Sequence, residues 1–97
     1  MSTYVTLINW TEQGIENFRD TTKRAAEFTS MVKKQGGKVR ELLWTVGDHD
    51  IVAVLDVPDD ETLMALLLAL GSKGNVRTTT MKAFSAQQMK DIIERAG

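Results

Sequence analysis

Ile51-Val52-Ala53-Val54-Leu55-Asp56-Val57 is apolar at both strand parities except at Asp56 and is rich in β-branched residues. A strand exposed on one face alternates apolar and polar residues, so this stretch reads as one covered on both faces. The four residues before it, Gly47-Asp48-His49-Asp50, include a glycine and read as a hairpin turn. Lys38 to Val46 supplies the partner strand, with Leu43 on one face and Leu42, Trp44 and Val46 on the other. This hairpin is the centre from which the remaining elements are placed.

Downstream, Pro58 blocks further pairing, and Asp59, Asp60 and Glu61 put negative charge at a helix N-terminus, where the dipole favours it. That helix runs to about Leu70, where Gly71 and Gly74 stop it. Asn75 to Phe84 forms a threonine-rich strand, and Ser85 with Gln88 makes a capping box for a terminal helix carrying Met89, Ile92 and Ile93. Upstream, Thr3 to Asn9 is a strand. Thr11 caps a helical turn with Ile15 and Phe18, and a second cap at Asp20 to Thr22 precedes Ala25, Phe28, Thr29 and Val32. One helix with a break near Asp20 is expected, closed by Gly36-Gly37 through positive φ. The order β-α-β-β-α-β plus a tail helix is the split β-α-β pattern. The fold class is thus α+β and ferredoxin-like, a four-stranded antiparallel sheet with both main helices on one face, in a single domain over residues 1–97.

Composition narrows the function classes. Twelve basic against 13 acidic residues leave a formal charge of -1, so no sequence-wide attraction to nucleic acid or anionic lipid is expected. The longest apolar run, Leu63 to Leu70, is far short of the roughly 20 residues that span a bilayer. The absence of cysteine and of a leader-like start points to a cytoplasmic protein. One histidine and no cysteine make an intrachain zinc site improbable on donor count, and no cofactor is assigned.

Two helices shelter one sheet face only. The other carries an apolar patch, with Tyr4 and Ile8 or Val5 and Leu7 from the first strand according to parity. A twofold dimer packing sheet on sheet covers it, because an isologous interface lets a patch meet its own copy; the alternative is that the terminal helix folds over it. Leu63, Leu66, Leu67 and Leu70, widened by Met64 and Leu68, give the second helix a broad apolar arc. It is met either by the terminal helix alongside or by a second copy.

The stretch from Gly37 through Gly47-Asp48-His49-Asp50-Ile51-Val52-Ala53 to Ala69-Leu70-Gly71-Ser72-Lys73-Gly74-Asn75-Val76-Arg77-Thr78, with Val5-Thr6-Leu7 and Gln13-Gly14-Ile15, closely resembles the GYD domain family. The family's glycine, tyrosine and aspartate fall on Gly47, His49 and Asp50, so an imidazole stands where the phenol would be. The resemblance implies a small ferredoxin-like domain similar in build to dimeric α/β barrel proteins. These include cofactor-free monooxygenases, isomerases and small-ligand regulators, so the fold does not choose a chemistry.

The candidate site follows from residue types. Gly47, Asp48, His49 and Asp50 bring two carboxylates and an imidazole to a strand end, where a general base would need them, although turn geometry alone also accounts for such residues. Trp44, Trp10, Arg77, Asn75 and Thr79, with Tyr4, combine aromatic and polar groups as a small-ligand pocket does; the tryptophans fit a core or interface equally. Gly71-Ser72-Lys73-Gly74 follows a helix and enters a strand, the reverse of a phosphate loop, and reads as a turn. The expected function is that of a self-associating domain binding a small molecule in a pocket near the Gly47 to Asp50 turn. The alternatives are a cofactor-free enzyme and a purely structural module.

Overall fold

β1 (Ser2–Trp10) is the first element and ends beside the β2–β3 hairpin, in a computed structural model that describes residues Met1 to Gly97. It is followed by α1 (Glu12–Glu16), a 3-10 turn over Phe18–Asp20, α2 (Thr21–Lys34), β2 (Lys38–Trp44), β3 (Ile51–Val57), α3 (Asp60–Ser72), β4 (Val76–Ala83) and α4 (Ala86–Ala96). The strands form one antiparallel sheet in the order β2-β3-β1-β4, the arrangement expected of a ferredoxin-like split β-α-β fold.

The register settles strand parity. Tyr4, Thr6 and Ile8 of β1 lie beside Ile51, Ala53 and Leu55 of β3 and face the helices, where Phe28 and Val32 of α2 and Leu63 and Leu66 of α3 complete the core. Val5 and Leu7 therefore belong to the open face, with Val52, Val54, Leu43 and Met81 from the neighbouring strands. A bulge at Arg40 shifts the β2–β3 register between Val39 and Glu41, which puts both Val39 and Leu42 on the helix side. Arg40 then pairs with Asp56 at 3.2 Å.

Several local expectations are corrected. β2 stops at Trp44 instead of Val46: the Thr45 N–H still donates to Asp50 O at 2.8 Å, but Val46 beyond it is fully exposed in the turn. Asp20 occupies the N-cap of α2 but makes no side-chain cap, and the 3-10 turn before it supplies the break in the helix. Gly36 takes φ +82, whereas Gly37 is needed for space: an added Cβ would lie 2.7 Å from Asp56 O. Gly71 lies inside α3, and Gly74 with φ +82 makes the turn beyond it.

α4 has the expected Ser85–Gln88 capping box, with no buried residue and no extensive packing on any other element. It covers neither the open sheet face nor the outer side of α3, where Met64 is 58% and Leu68 65% exposed. The molecule measures 51 × 30 × 18 Å, and its radius of gyration is 14.6 Å. A compact chain of this length would have about 12.5 Å.

Candidate functional site

The C-terminal end of β1, the β2–β3 turn and the start of β4 meet at one end of the sheet. The turn residues there are wired to the backbone. Asp50 Oδ2 accepts the Trp10 N–H at 2.9 Å, and the Asp50 N–H donates to Ile8 O at 2.9 Å. His49 Nδ1 lies 2.8 Å from Asn9 Oδ1, and Asn9 Nδ2 donates to Asp48 O at 2.8 Å. His49 makes no hydrogen bond to either neighbouring aspartate, so the turn forms no imidazole–carboxylate pair. Gly47 is exposed with φ +138 and has open space around its Cα. The carboxylate of Asp50 thus does what a strand partner would do, satisfying the last β1 amide.

Immediately inside this end, between α2 and the sheet, is a pocket of about 80 Å³. Ile8, Trp10, Phe28, Met31, Leu42 and Val76 give it apolar walls. Arg24, Glu27, Lys73 and Asn75 supply its polar groups. Arg24, Glu27, Phe28 and Met31 recur at helical spacing, which aligns them on one face of α2. Gly14 closes the neighbouring chain segment tightly. Thr11, which caps α1, donates its N–H to Asn75 O at 3.0 Å, and a Cβ at Gly14 would fall 2.0 Å from that same oxygen. Only glycine lets α1 sit there.

Two features of the wall are electrostatically incomplete. The Trp10 indole Nε1 is the one buried side-chain nitrogen or oxygen without a hydrogen-bond partner. Such groups are rare, because leaving a buried donor unpaired costs about 1–3 kcal/mol. The half-buried Arg24 guanidinium donates to Asn17 O at 2.9 Å and Gly14 O at 3.3 Å but pairs with no carboxylate. Glu27 faces Lys73 instead, at 3.9 Å.

The sequence-derived candidates divide accordingly. Trp10 and Asn75 line the pocket. Trp44 does not, but its Nε1 donates to Oγ1 of the pocket residue Thr21 at 3.0 Å. His49 and Asp50 lie at the same sheet end, outside the wall. Arg77 donates to Val76 O at 2.9 Å and, with Thr79, belongs to the open face of β4, opposite Asn9 and Leu7. Arg24, Glu27 and Lys73 were missed. The signal available for the first two was the α2 spacing; Lys73 stood in a loop dismissed as a turn.

A second, shallower groove lies between α3 and β4, lined by Tyr4, Asp60, Leu63 and Lys82 among others. The buried Tyr4 hydroxyl donates to Asp60 there. That hydrogen bond, followed by burial, holds the phenol above its ordinary value of 10.0. No group of three or more His, Asp or Glu side chains is placed to hold a metal ion, and no helix is long and apolar enough to cross a membrane.

The chain is similar to proteins of known name. It is 28% identical, over 98% of both chains, to the glutamine synthetase and cystathionine β-lyase binding protein of Thermus thermophilus. Among solved structures, it superposes with TM-score 0.67 on the feast or famine regulatory protein of M. tuberculosis complexed with L-methionine, at 16% identity. That match covers 89% of this chain and 52% of the regulator, so the chain spans about half the regulator's length. The C-terminal domain of the MgtC protein from Mycobacterium tuberculosis matches with TM-score 0.62 and 17% identity, over 86% of this chain and 88% of that one. These structural likenesses are likenesses of fold. The family model described as GYD domain matches residues 4–93, nearly the whole length, and the chain belongs to the GYD domain family.

Proposed function

We propose that this protein is a small-molecule-binding domain whose ligand occupies the pocket between α2 and the sheet, at the end marked by the Gly47 to Asp50 turn. The observation that carries this reading is a pocket apolar over most of its lining, with a few polar groups from Arg24, Glu27, Lys73 and Asn75 and, in the lining residue Trp10, a buried indole N–H without a partner. A few polar groups in an apolar concavity are the usual make-up of a ligand site. The Thermus relative is named as a binding protein, and the M. tuberculosis regulator of the same fold was solved with a small molecule bound. Binding is favoured over turnover because the one carboxylate of the wall, Glu27, the candidate general base, is engaged by Lys73 at 3.9 Å. A thermal-shift screen of metabolites tests the reading. A ligand raises the melting temperature, and Phe28→Trp, which fills the pocket, abolishes the rise; an unchanged response in that variant overturns the assignment.

The same reading includes self-association. Val5, Leu7, Val52, Val54, Leu43 and Met81 form one apolar surface on the sheet side that the helices leave uncovered, and α4 does not shelter it. A second copy packed face to face removes that surface from water. Light scattering is expected to give twice the chain mass of 10.8 kDa, and a mass of 10.8 kDa at micromolar concentration refutes the dimer.

A second reading, protein binding, is favoured by a separate observation. α4 presents Met89 and Ile93, 48% and 59% exposed, on a helix without extensive packing on the rest of the chain, and the Thermus relative is named for binding two enzymes. Met89→Lys with Ile93→Lys separates the two: it weakens capture of a protein partner and leaves small-molecule binding unchanged.

A further inference from the structure

The ligand class can be read from the charges and donors of the pocket, an inference that rests on the pocket being the binding site. The charged groups in its wall are Arg24, Glu27 and Lys73. Glu27 and Lys73 lie 3.9 Å apart and largely neutralise one another, which leaves the Arg24 guanidinium as an uncompensated positive charge. Two of its N–H groups go to the carbonyls of Asn17 and Gly14. A guanidinium has five, so N–H groups remain for a ligand. The Trp10 Nε1–H adds a buried donor with no acceptor. Donors without acceptors, beside an excess positive charge, call for an anion with lone pairs to offer. The pocket itself, about 80 Å³ and walled by Ile8, Phe28, Met31, Leu42 and Val76, takes a short apolar group and no more. An engineered apolar cavity of about 150 Å³ accommodates benzene.

We infer that the pocket binds small monocarboxylates carrying a short apolar tail, the carboxylate meeting Arg24 and the Trp10 indole N–H while the tail lies against Phe28 and Met31. A polyanion fits less well, because Arg24 is the one charge of the wall left uncompensated and most of the remaining lining is apolar. A neutral alcohol of the same length would gain the apolar contact and lose the charge-assisted hydrogen bonds.

The test is a titration of the full chain with butanoate, butanol and butylamine, followed by NMR at the Trp10 indole N–H, whose signal is assigned by its loss in Trp10→Phe. Butanoate is expected to shift that signal saturably, with an affinity about tenfold or more above butanol, the factor that one charge-assisted hydrogen bond supplies. Butylamine is expected to bind weakest. Arg24→Gln brings butanoate down to the level of butanol, and Arg24→Lys restores part of the preference. Because Arg24 also holds the end of α1, the amide spectrum of each variant reports whether the fold persists, and Trp10→Phe, read by other pocket signals, weakens butanoate independently of Arg24. Equal binding of butanoate and butanol overturns the carboxylate class and leaves the pocket in place. Failure of all three probes to move the Trp10 signal overturns the pocket itself.

Discussion

One sheet presents two faces built from alternate residues of the same strands. Leu55 is fully buried beneath the helices, while its neighbour Val54 is only half-buried on the opposite side. On the covered side, Ala53, Leu55 and Val57 have no solvent exposure, and Thr6 is buried among them with its hydroxyl 3.1 Å from that of Thr80. On the open side, Leu43 is 56% and Met81 48% exposed. The difference shows that apolar character along β3 reflects two separate demands. One is met within the chain by α2 and α3. The other, on the open side, is met by no helix of this chain.

The largest test of that contrast is Leu55→Ala. It is expected to cost about 2–5 kcal/mol in urea unfolding, the range for truncating a fully buried leucine. Val54→Ala, compared at a dilution where light scattering gives 10.8 kDa, should lose well under half as much; equal losses would break the distinction between the faces. Val54→Lys sharpens it from the other side: under the proposed dimer it is expected to halve the mass in solution while the far-ultraviolet dichroism stays unchanged. Gly14→Ala probes the closure beside Asn75, where the new methyl group meets a carbonyl oxygen that the Thr11 N–H already uses. Overpacking there is expected to cost about 1–3 kcal/mol and to disturb the pocket end of the sheet first.

Smaller effects come from the groups that seat α3 on the covered face. Tyr4→Phe removes the hydrogen bond to Asp60, a loss of about 1 kcal/mol or less because Asp60 itself is exposed to water. The folded-state phenol is held above 10.0, so it contributes stability below that pH and loses it as pH rises through the raised value. Tyr4→Phe should therefore flatten the alkaline limb of a melting-temperature profile, and an unchanged limb would assign that limb to other groups. Asp59 shows the opposite sign. Thr62, through its side chain first and its backbone N–H second, holds the Asp59 carboxyl below 3.8, so the cap stabilises α3 above that pH and fades as pH falls through the lowered value. Asp59→Asn should produce the smallest change, a slight fall in melting temperature at neutral pH that disappears under strongly acidic conditions.

The candidate site was legible only where chemistry and local spacing coincide. Trp10 and Asn75 were recognised as an aromatic and an amide near the ends of strands, and both line the pocket. His49 and Asp50 drew attention because an imidazole beside a carboxylate is the material of acid–base chemistry. In the fold their hydrogen bonds go to Asn9 and to the Trp10 amide, which fixes the sheet end. Arg24 and Lys73 escaped notice because charged residues in a helix and a turn usually face water, and nothing local marks the ones that stand at the rim of a pocket.

Strand and helix identities, the caps at Thr11, Asp59 and Ser85, and the excess of apolar β surface were determined by the sequence itself, since periodicity and capping act between residues a few positions apart. Which parity faces the helices, the Arg40 bulge and the standing-off of α4 were decided by the tertiary structure. So was the placing of Trp10 and Arg24 in the lining of one pocket. These depend on contacts between residues distant along the chain, where packing volume and strand register choose among arrangements that local preferences leave equal.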